Sequence, residues 1–331
     1  MTLRLHGDAV AAPGMLDFAV NVWRGERPPA LEAALRAALD DARYPDDRAA
    51  RAALAARHGR NAAEVLALNG ACEGFWLLAH ALRPRVAACV HPSFTEPEAA
   101  LRAARAEIVQ VPRDPEGWSF DPATVPERAD FVVVGNPNNP TGGPDRPGSL
   151  LALLRPGRVV VVDESFMDFA PAPEPSLAET RDDGLVVVRS LTKLWSLAGV
   201  RAGYLLASAQ LVAKLAAHRQ PWSVNAPALA ALEVCAGDRE TPRRVGAEVA
   251  AARAGLLDAL RPLAVRAWPS AANFVLLEVP GGEAVVATLR AAGVAVRPAA
   301  SFPGLTEDHI RVAVRRPHEN RRLVEALAQA L

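Results

Sequence analysis

The sequence predicts an α/β fold: a large domain built on a mostly parallel central sheet, joined to a smaller α+β C-terminal domain. Three observations predict it. Short, continuous apolar runs recur: "RVAACV" (Arg85–Val90), "FVVV" (Phe131–Val134), "VVVV" (Val159–Val162) and "LVVV" (Leu185–Val188). Runs of this length and β-branched content suit strands buried on both faces. Helix-like segments separate several of them, and such alternation is the pattern of a parallel sheet. The last third changes character: "NFVLLEV" (Asn273–Val279), "VAVRP" (Val294–Pro298) and "HIRVAV" (His309–Val314) read as strands, with helices over Glu283–Ala292 and Pro317–Leu331.

Taken in order, the first 30 residues are punctuated by Pro and Gly and read as an extended arm that docks on the small domain. Leu31, Leu35 and Leu39 recur at helical spacing, and Tyr44-Pro45 closes that helix. A second helix fits Asp47–His58, and "NGACEGFWLLAHALR" reads as a loop entering a helix near Cys72. Helices also fit Thr95–Ala106 and Ser149–Leu154. The expected division is residues 31–225 for the large, cofactor-binding domain, and residues 1–30 with 226–331 for the arm plus small domain.

Composition removes several function classes. With 37 basic and 37 acidic residues among 331, the formal charge is zero, so there is no electrostatic footprint for nucleic acid or an anionic membrane. No apolar run approaches the roughly 18 residues of a membrane span. The opening "MTLRLHGDAVAAPG" lacks a charged region followed by an apolar stretch, so a cytoplasmic protein is expected. Cys72, Cys89 and Cys235 are scattered and odd in number, as in a reducing compartment. The seven histidines show no metal-ligand spacing, and GxGxxG is absent.

Each apolar run of the large domain leads straight into unusual polar residues. "RVAACV" runs into "HPSF" with Phe94, "FVVV" into "GNPNNPTG" with Asn139, "VVVV" into "DES" with Asp163, and "LVVV" into "RSLTK" with Lys193. Ligands of open α/β sheets lie outside the carboxyl ends of the strands, so these four residues are expected to share one crevice. Any one of them alone has a plainer explanation, such as an Asp closing a turn. Lys193 stands out because only two of the 37 Lys and Arg residues are lysine. The other, Lys214, sits in the helical "LVAKLAAH" and reads as a surface residue. An arginine cannot lose its proton in a protein, whereas a desolvated lysine can and then attacks an aldehyde. Ser190, Thr192 and Arg201 flank it with the hydroxyls and guanidinium that suit a phosphate monoester. An aldehyde, a phosphate and a ring nitrogen facing Asp163 together describe pyridoxal 5′-phosphate.

With those residues in hand, the chain resembles fold-type I pyridoxal-phosphate enzymes of the aspartate aminotransferase superfamily. Within it, it is similar to the branch holding histidinol-phosphate aminotransferase and the threonine-phosphate decarboxylase of cobamide (cobalamin) synthesis. "NPNNPTG", "DE" and "SLTK…AGVRAGY" carry the resemblance, which runs from "LHGD" to "HIRVAV". It implies that Lys193 bonds to the cofactor aldehyde, that Asp163 pairs with the pyridine nitrogen, and that Asn139 donates to the ring 3′-oxygen. Phe94 would stack on the ring. Ala71 and Cys72 would offer backbone N–H groups to the phosphate, with Ser190, Thr192 and Arg201 completing the cup. Tyr44 resembles the tyrosine that reaches the phosphate of a neighbouring subunit, which implies a homodimer. Arg311 resembles the arginine that grips the substrate carboxylate, and Asn21 and Asn273 resemble pocket residues.

Two departures bear on the reaction. "DESF" stands where aminotransferases of this branch read "DEAY", so Phe166 offers no hydroxyl. "VWRGERPP" after Asn21 brings Trp23 and Arg24 toward the expected substrate pocket. The leading reading is a threonine-phosphate decarboxylase-like lyase acting on an amino acid that carries a phosphate. The alternative is an aminotransferase of the histidinol-phosphate kind, and the remote one a non-catalytic protein that binds the cofactor. Arg24, Arg27 and Arg297 are candidates for added cation density around a phosphorylated substrate.

Overall fold

A computed structural model of the chain describes residues 7–170 and 176–331. Leu5 and His6 of "LHGD" lie outside the described residues. In chain order the strands are β1 (Leu16–Asp17), β2 (Val65–Leu68), β3 (Val86–His91), β4 (Glu107–Pro112), β5 (Phe131–Gly135), β6 (Val159–Asp163) and β7 (Leu185–Ser190). There follow β8 (Gly203–Leu206), β9 (Arg266–Ala267), β10 (Phe274–Glu278), β11 (Val294–Ala295), β12 (Arg297–Pro298) and β13 (His309–Ala313). The helices are α1 (Pro29–Asp40), α2 (Arg48–Arg57), α3 (Ala71–Leu82), α4 (Glu96–Ala103) and α5 (Pro147–Leu151). They continue with α6 (Ala209–Ala216), α7 (Ala226–Gly237), α8 (Glu240–Leu260), α9 (Gly282–Ala291) and α10 (Pro317–Ala330).

The central sheet has seven strands in the order β2-β8-β7-β6-β5-β3-β4. Only β8 runs against its neighbours. The valine runs form its middle because both faces are covered, as continuous apolar strands require. Val132, Val134, Val160, Val162 and Val187 point to one face, where they meet Leu31 and Leu35 of α1, Leu54 of α2, Leu232 of α7 and Val249 of α8. Val133, Val161, Val186 and Val188 point to the other, against Leu78 of α3, Leu101 of α4 and Leu215 of α6.

The C-terminal third adds an antiparallel sheet, β12-β13-β10-β9. "VAVRP" is not one strand: β11 pairs with β1 of the arm, and β12 pairs with β13. The chain changes partners at Val296, so the arm does dock on this region. The sequence pattern is silent on β2, β4, β8, α7 and α8. The strands β2 and β8 are four residues long, and the apolar residues of α8 are diluted by Ala and Arg over 21 residues. The helix α7 packs on α1 and α2. Among the described residues, no helix is long and apolar enough to cross a membrane.

Candidate active site

The parallel strands β2, β3, β5, β6 and β7 deliver their carboxyl ends to one edge of the sheet. The reversed strand β8 starts at that edge, which brings Arg201 there as well. A cavity of about 570 Å³ opens at this edge, and the arm and the β12–β13 hairpin complete its wall. Of the residues given a catalytic, cofactor-binding or substrate-binding role by the resemblance, all but Tyr44 and Asn273 line it.

At one end, α3 starts at Ala71 behind Gly70, which has φ +84°, and no side chain caps the helix. Its first N–H groups, those of Ala71 and Cys72, are of the kind that bind anions. Ser190 and Thr192 share a 2.8 Å hydrogen bond between their hydroxyls beside this turn. A Cβ on Gly70 would sit 2.4 Å from Arg201 Nη2, and one on Gly203 would sit 2.5 Å from the Ala71 nitrogen. The cup therefore exists only because those positions lack side chains. Gly70→Ala is expected to cost about 1–3 kcal/mol through its backbone conformation and to weaken cofactor binding at least tenfold by displacing Arg201. Cofactor titration alongside denaturant unfolding checks both. Burial and the neighbouring Glu96 push the Cys72 thiol up to about 11, so it adds no negative charge to the cup.

In the middle, Asp163 at the end of β6 accepts from Ser165 N at 3.0 Å and Ser165 Oγ at 2.5 Å. Burial raises its pKa, which the Ser165 hydrogen bonds and Lys193 oppose. Phe94 forms part of the opposite wall and meets Phe75 at 6.4 Å. Burial, helped by the guanidinium groups of Arg311 and Arg201, pushes Lys193 down to about 8 from its ordinary 10.5. Near neutral pH the amine is therefore within reach of its nucleophilic form. The native cofactor-free state then binds fewer protons than the unfolded chain between about pH 8 and 10.5. Stability carried by this group accordingly rises with pH across that window. Denaturant unfolding of cofactor-free wild type against Lys193→Ala is expected to show that rise in wild type alone.

At the far end lies a pair of guanidinium groups. Arg297 on β12 is the direct cross-strand partner of Arg311 on β13, and both face the cavity. Arg311 donates to Asn139 Oδ1 at 2.6 Å and to the Ala19 carbonyl at 2.8 Å. With the Asn21 amide oxygen turned toward it, Arg311 also donates there at 3.0 and 3.2 Å. Burial and Arg297 push Arg311 down to about 9. Arg297 itself donates to the Pro298 carbonyl at 2.6 Å and to Ser301 Oγ at 2.7 Å, and two like charges on paired strands favour an anion nearby.

Several placements differ from expectation. Asn273 is fully buried behind the wall and donates to the Asn21 carbonyl at 3.1 Å, so it supports the pocket without lining it. Trp23 and Arg24 do not intrude: Trp23 packs on the core, and Arg24 turns outward to Asp17 at 2.5 Å. Arg27 pairs with Glu32 at 2.7 Å. Of the three extra cations proposed, only Arg297 reaches the cavity. Tyr44 is 75% exposed and stacks on Trp222, which is 60% exposed, with ring centroids 4.4 Å apart, outside the cavity. Sequence reasoning gave no role to Phe302, which lies in the wall under Arg297, or to Glu96, which accepts from Trp76 at 3.2 Å.

Cys89, His91 and Glu98 bring potential ligand atoms within 4.8 Å of one another. The carboxylate of Glu98 already takes His91 at 2.6 Å, Gln110 and the Arg102 guanidinium. A cation would be repelled by Arg102, so this cluster reads as a buried hydrogen-bond network fixing the end of β3 ahead of Phe94.

The donor set fits pyridoxal 5′-phosphate: a near-neutral amine, a buried carboxylate, an aromatic wall and a glycine-built anion cup. The model of the family described as "Aminotransferase class I and II" matches residues 13–327. A histidinol-phosphate aminotransferase of Mycobacterium bovis is 45% identical over 323 residues, covering 94% of this chain and 87% of that protein. A threonine-phosphate decarboxylase of Salmonella typhimurium is 32% identical over 333 residues, covering 96% and 91%. The crystal structure of the histidinol-phosphate aminotransferase from Clostridium acetobutylicum is similar with a TM-score of 0.88 at 23% identity, covering 94% and 98%.

Proposed function

We propose that this chain, which belongs to the family of class I and II aminotransferases, moves the amino group of a phosphate-bearing amine, with histidinol phosphate as the leading candidate. It is a pyridoxal-phosphate enzyme of fold type I. The observation that carries the substrate class is the pairing of Arg297 with Arg311 across β12 and β13. Arg311 alone suits a carboxylate, whereas a second guanidinium on the paired strand adds the positive charge that a phosphate dianion calls for. The identity of 45% to a histidinol-phosphate aminotransferase, against 32% to a threonine-phosphate decarboxylase, favours amino transfer and reverses the order of the two readings drawn from the sequence.

When bound, the cofactor supplies a protonated pyridine ring conjugated to the substrate nitrogen, which withdraws electrons from the substrate Cα. Asp163 would face that ring nitrogen and keep it protonated. Ala71, Cys72, Ser190, Thr192 and Arg201 would hold the phosphate, Asn139 would donate to the 3′-oxygen, and Phe94 would cover the ring. Lys193 would bond to the aldehyde and, once displaced by the substrate amine, would carry a proton from Cα as a neutral base. Arg311, aimed by Asn21, would orient the substrate so that the Cα–H bond stands across the ring plane. The exposed Tyr44–Trp222 pair, outside its own cavity, fits a tyrosine offered to a second copy.

One observation keeps decarboxylation as the second reading. Phe166 lines the cavity without a hydroxyl, packed edge-on to Phe274 with centroids 4.9 Å apart. Product analysis by mass spectrometry separates the two. Glutamate formed from 2-oxoglutarate and histidinol phosphate supports the first. Loss of CO₂ from L-threonine O-phosphate without any keto acid would replace it with the second.

A further inference from the structure

Residues 18–23 leave regular structure after β1, so their carbonyls, and that of Asp17 at its end, need partners outside the pairing of β1 with β11. Every one is taken. The Phe18 carbonyl accepts from Ala313 N at 2.8 Å, Ala19 from Arg311 at 2.8 Å, Asn21 from Asn273 at 3.1 Å, and Trp23 from Ser196 Oγ. The other three belong to one side chain. Arg315 donates to Asp17 O at 2.9 Å from Nε, to Val22 O at 2.6 Å from Nη1 and to Val20 O at 2.6 Å from Nη2. It is only 2% exposed. Asp17 braces the same turn from within, accepting from Ala19 N at 2.8 Å and Val20 N at 3.0 Å.

Arg311 lies on β13 and Arg315 two residues past that strand's end, and both side chains reach the same stretch of the arm. The arm segment that Arg315 grips is the segment whose Ala19 carbonyl and Asn21 amide hold Arg311. Its Trp23 N–H also donates to the Lys193 carbonyl at 2.8 Å.

We propose that Arg315 is a positioning residue for the substrate-anion site: by pinning residues 17–22 it fixes the Ala19 carbonyl and the Asn21 side chain that aim Arg311. The role rests on reading Arg311 as the arginine that meets the substrate anion. Arg315 itself touches neither cofactor nor cavity. A methionine there would fill the volume and free three carbonyls. A lysine would keep the charge and satisfy fewer of them.

The test compares cofactor-loaded wild type with Arg315→Met and the milder Arg315→Lys. The probe is succinate, a dicarboxylate that needs no turnover, read through the shift it causes in the bound cofactor's absorbance. Hydrogen exchange at the Ala19, Val20 and Trp23 amides reads the arm. Arg315→Met is expected to weaken succinate binding about tenfold, the loss of roughly one charge-assisted hydrogen bond. It should also speed exchange at those amides and leave cofactor affinity within about threefold of wild type. Arg315→Lys should fall between. If Arg315→Met does not fold, the lysine variant decides on the same readouts. Faster exchange with unchanged succinate affinity would make Arg315 a stability residue only, and unchanged exchange would remove the pin itself; either overturns the proposal. A wild type that binds no succinate overturns the reading of Arg311 first, and this one with it.

Discussion

Lys193→Ala is expected to lower turnover by at least about 10⁴-fold, the scale of losing a covalent nucleophile that also moves the proton. Two functions would go at once: the bond to the cofactor aldehyde and the base beside Cα. The environment shows why no neighbour can take over. The other cations of the cavity, Arg201, Arg297 and Arg311, are guanidinium groups that keep their protons. The measurement is single-turnover kinetics with histidinol phosphate, together with the visible spectrum of the loaded protein. The variant should still take up the cofactor through the phosphate cup, with its absorbance band shifted and no turnover. Full turnover in this variant would remove Lys193 from the reaction, and full biological activity without turnover would revive the reading of a protein that binds the cofactor without catalysis.

Asp163→Asn is the second large effect, with kcat expected to fall about 10²–10³-fold, as when one preorganised electrostatic partner is lost. The substitution keeps shape and hydrogen-bonding capacity toward Ser165 but removes the charge. Burial raises the Asp163 pKa in the cofactor-free cavity, which makes this carboxylate ready to pair with a cation placed against it. Steady-state kinetics should show the loss in kcat with KM within a few-fold, because Asp163 lies away from the arginine pair that would receive the substrate anion. A large rise in KM with kcat preserved would assign Asp163 to binding alone.

Much of the site was legible before any coordinates. The valine runs of β5, β6 and β7 suited doubly covered strands, and the polar residues after each had to reach one edge if the strands were parallel. That argument placed Asn139, Asp163, Lys193 and Phe94 together, and the structure brings them to one cavity. The glycine-built cup was legible only in part. Ser190, Thr192 and Arg201 suited a phosphate by residue type, but the need for Gly70 and Gly203 comes from a close approach between segments about 130 residues apart in sequence.

The arginines mark the boundary. Arg24, Arg27 and Arg297 looked alike in a chain that writes nearly every cation as Arg, and only Arg297 enters the cavity. Arg315 drew no attention in the sequence, yet it holds three carbonyls of the arm. The order of strand-end motifs, the parallel sheet and the presence of a lysine just past the end of β7 follow from local pattern and residue type, and the sequence determines these by itself. Which guanidinium faces the cavity, and which one bonds the carbonyls of the arm, was decided by the register of β12 on β13 and by the path of the arm across them. Those are long-range pairings: a one-residue slip in either would turn the same side chains to the opposite face.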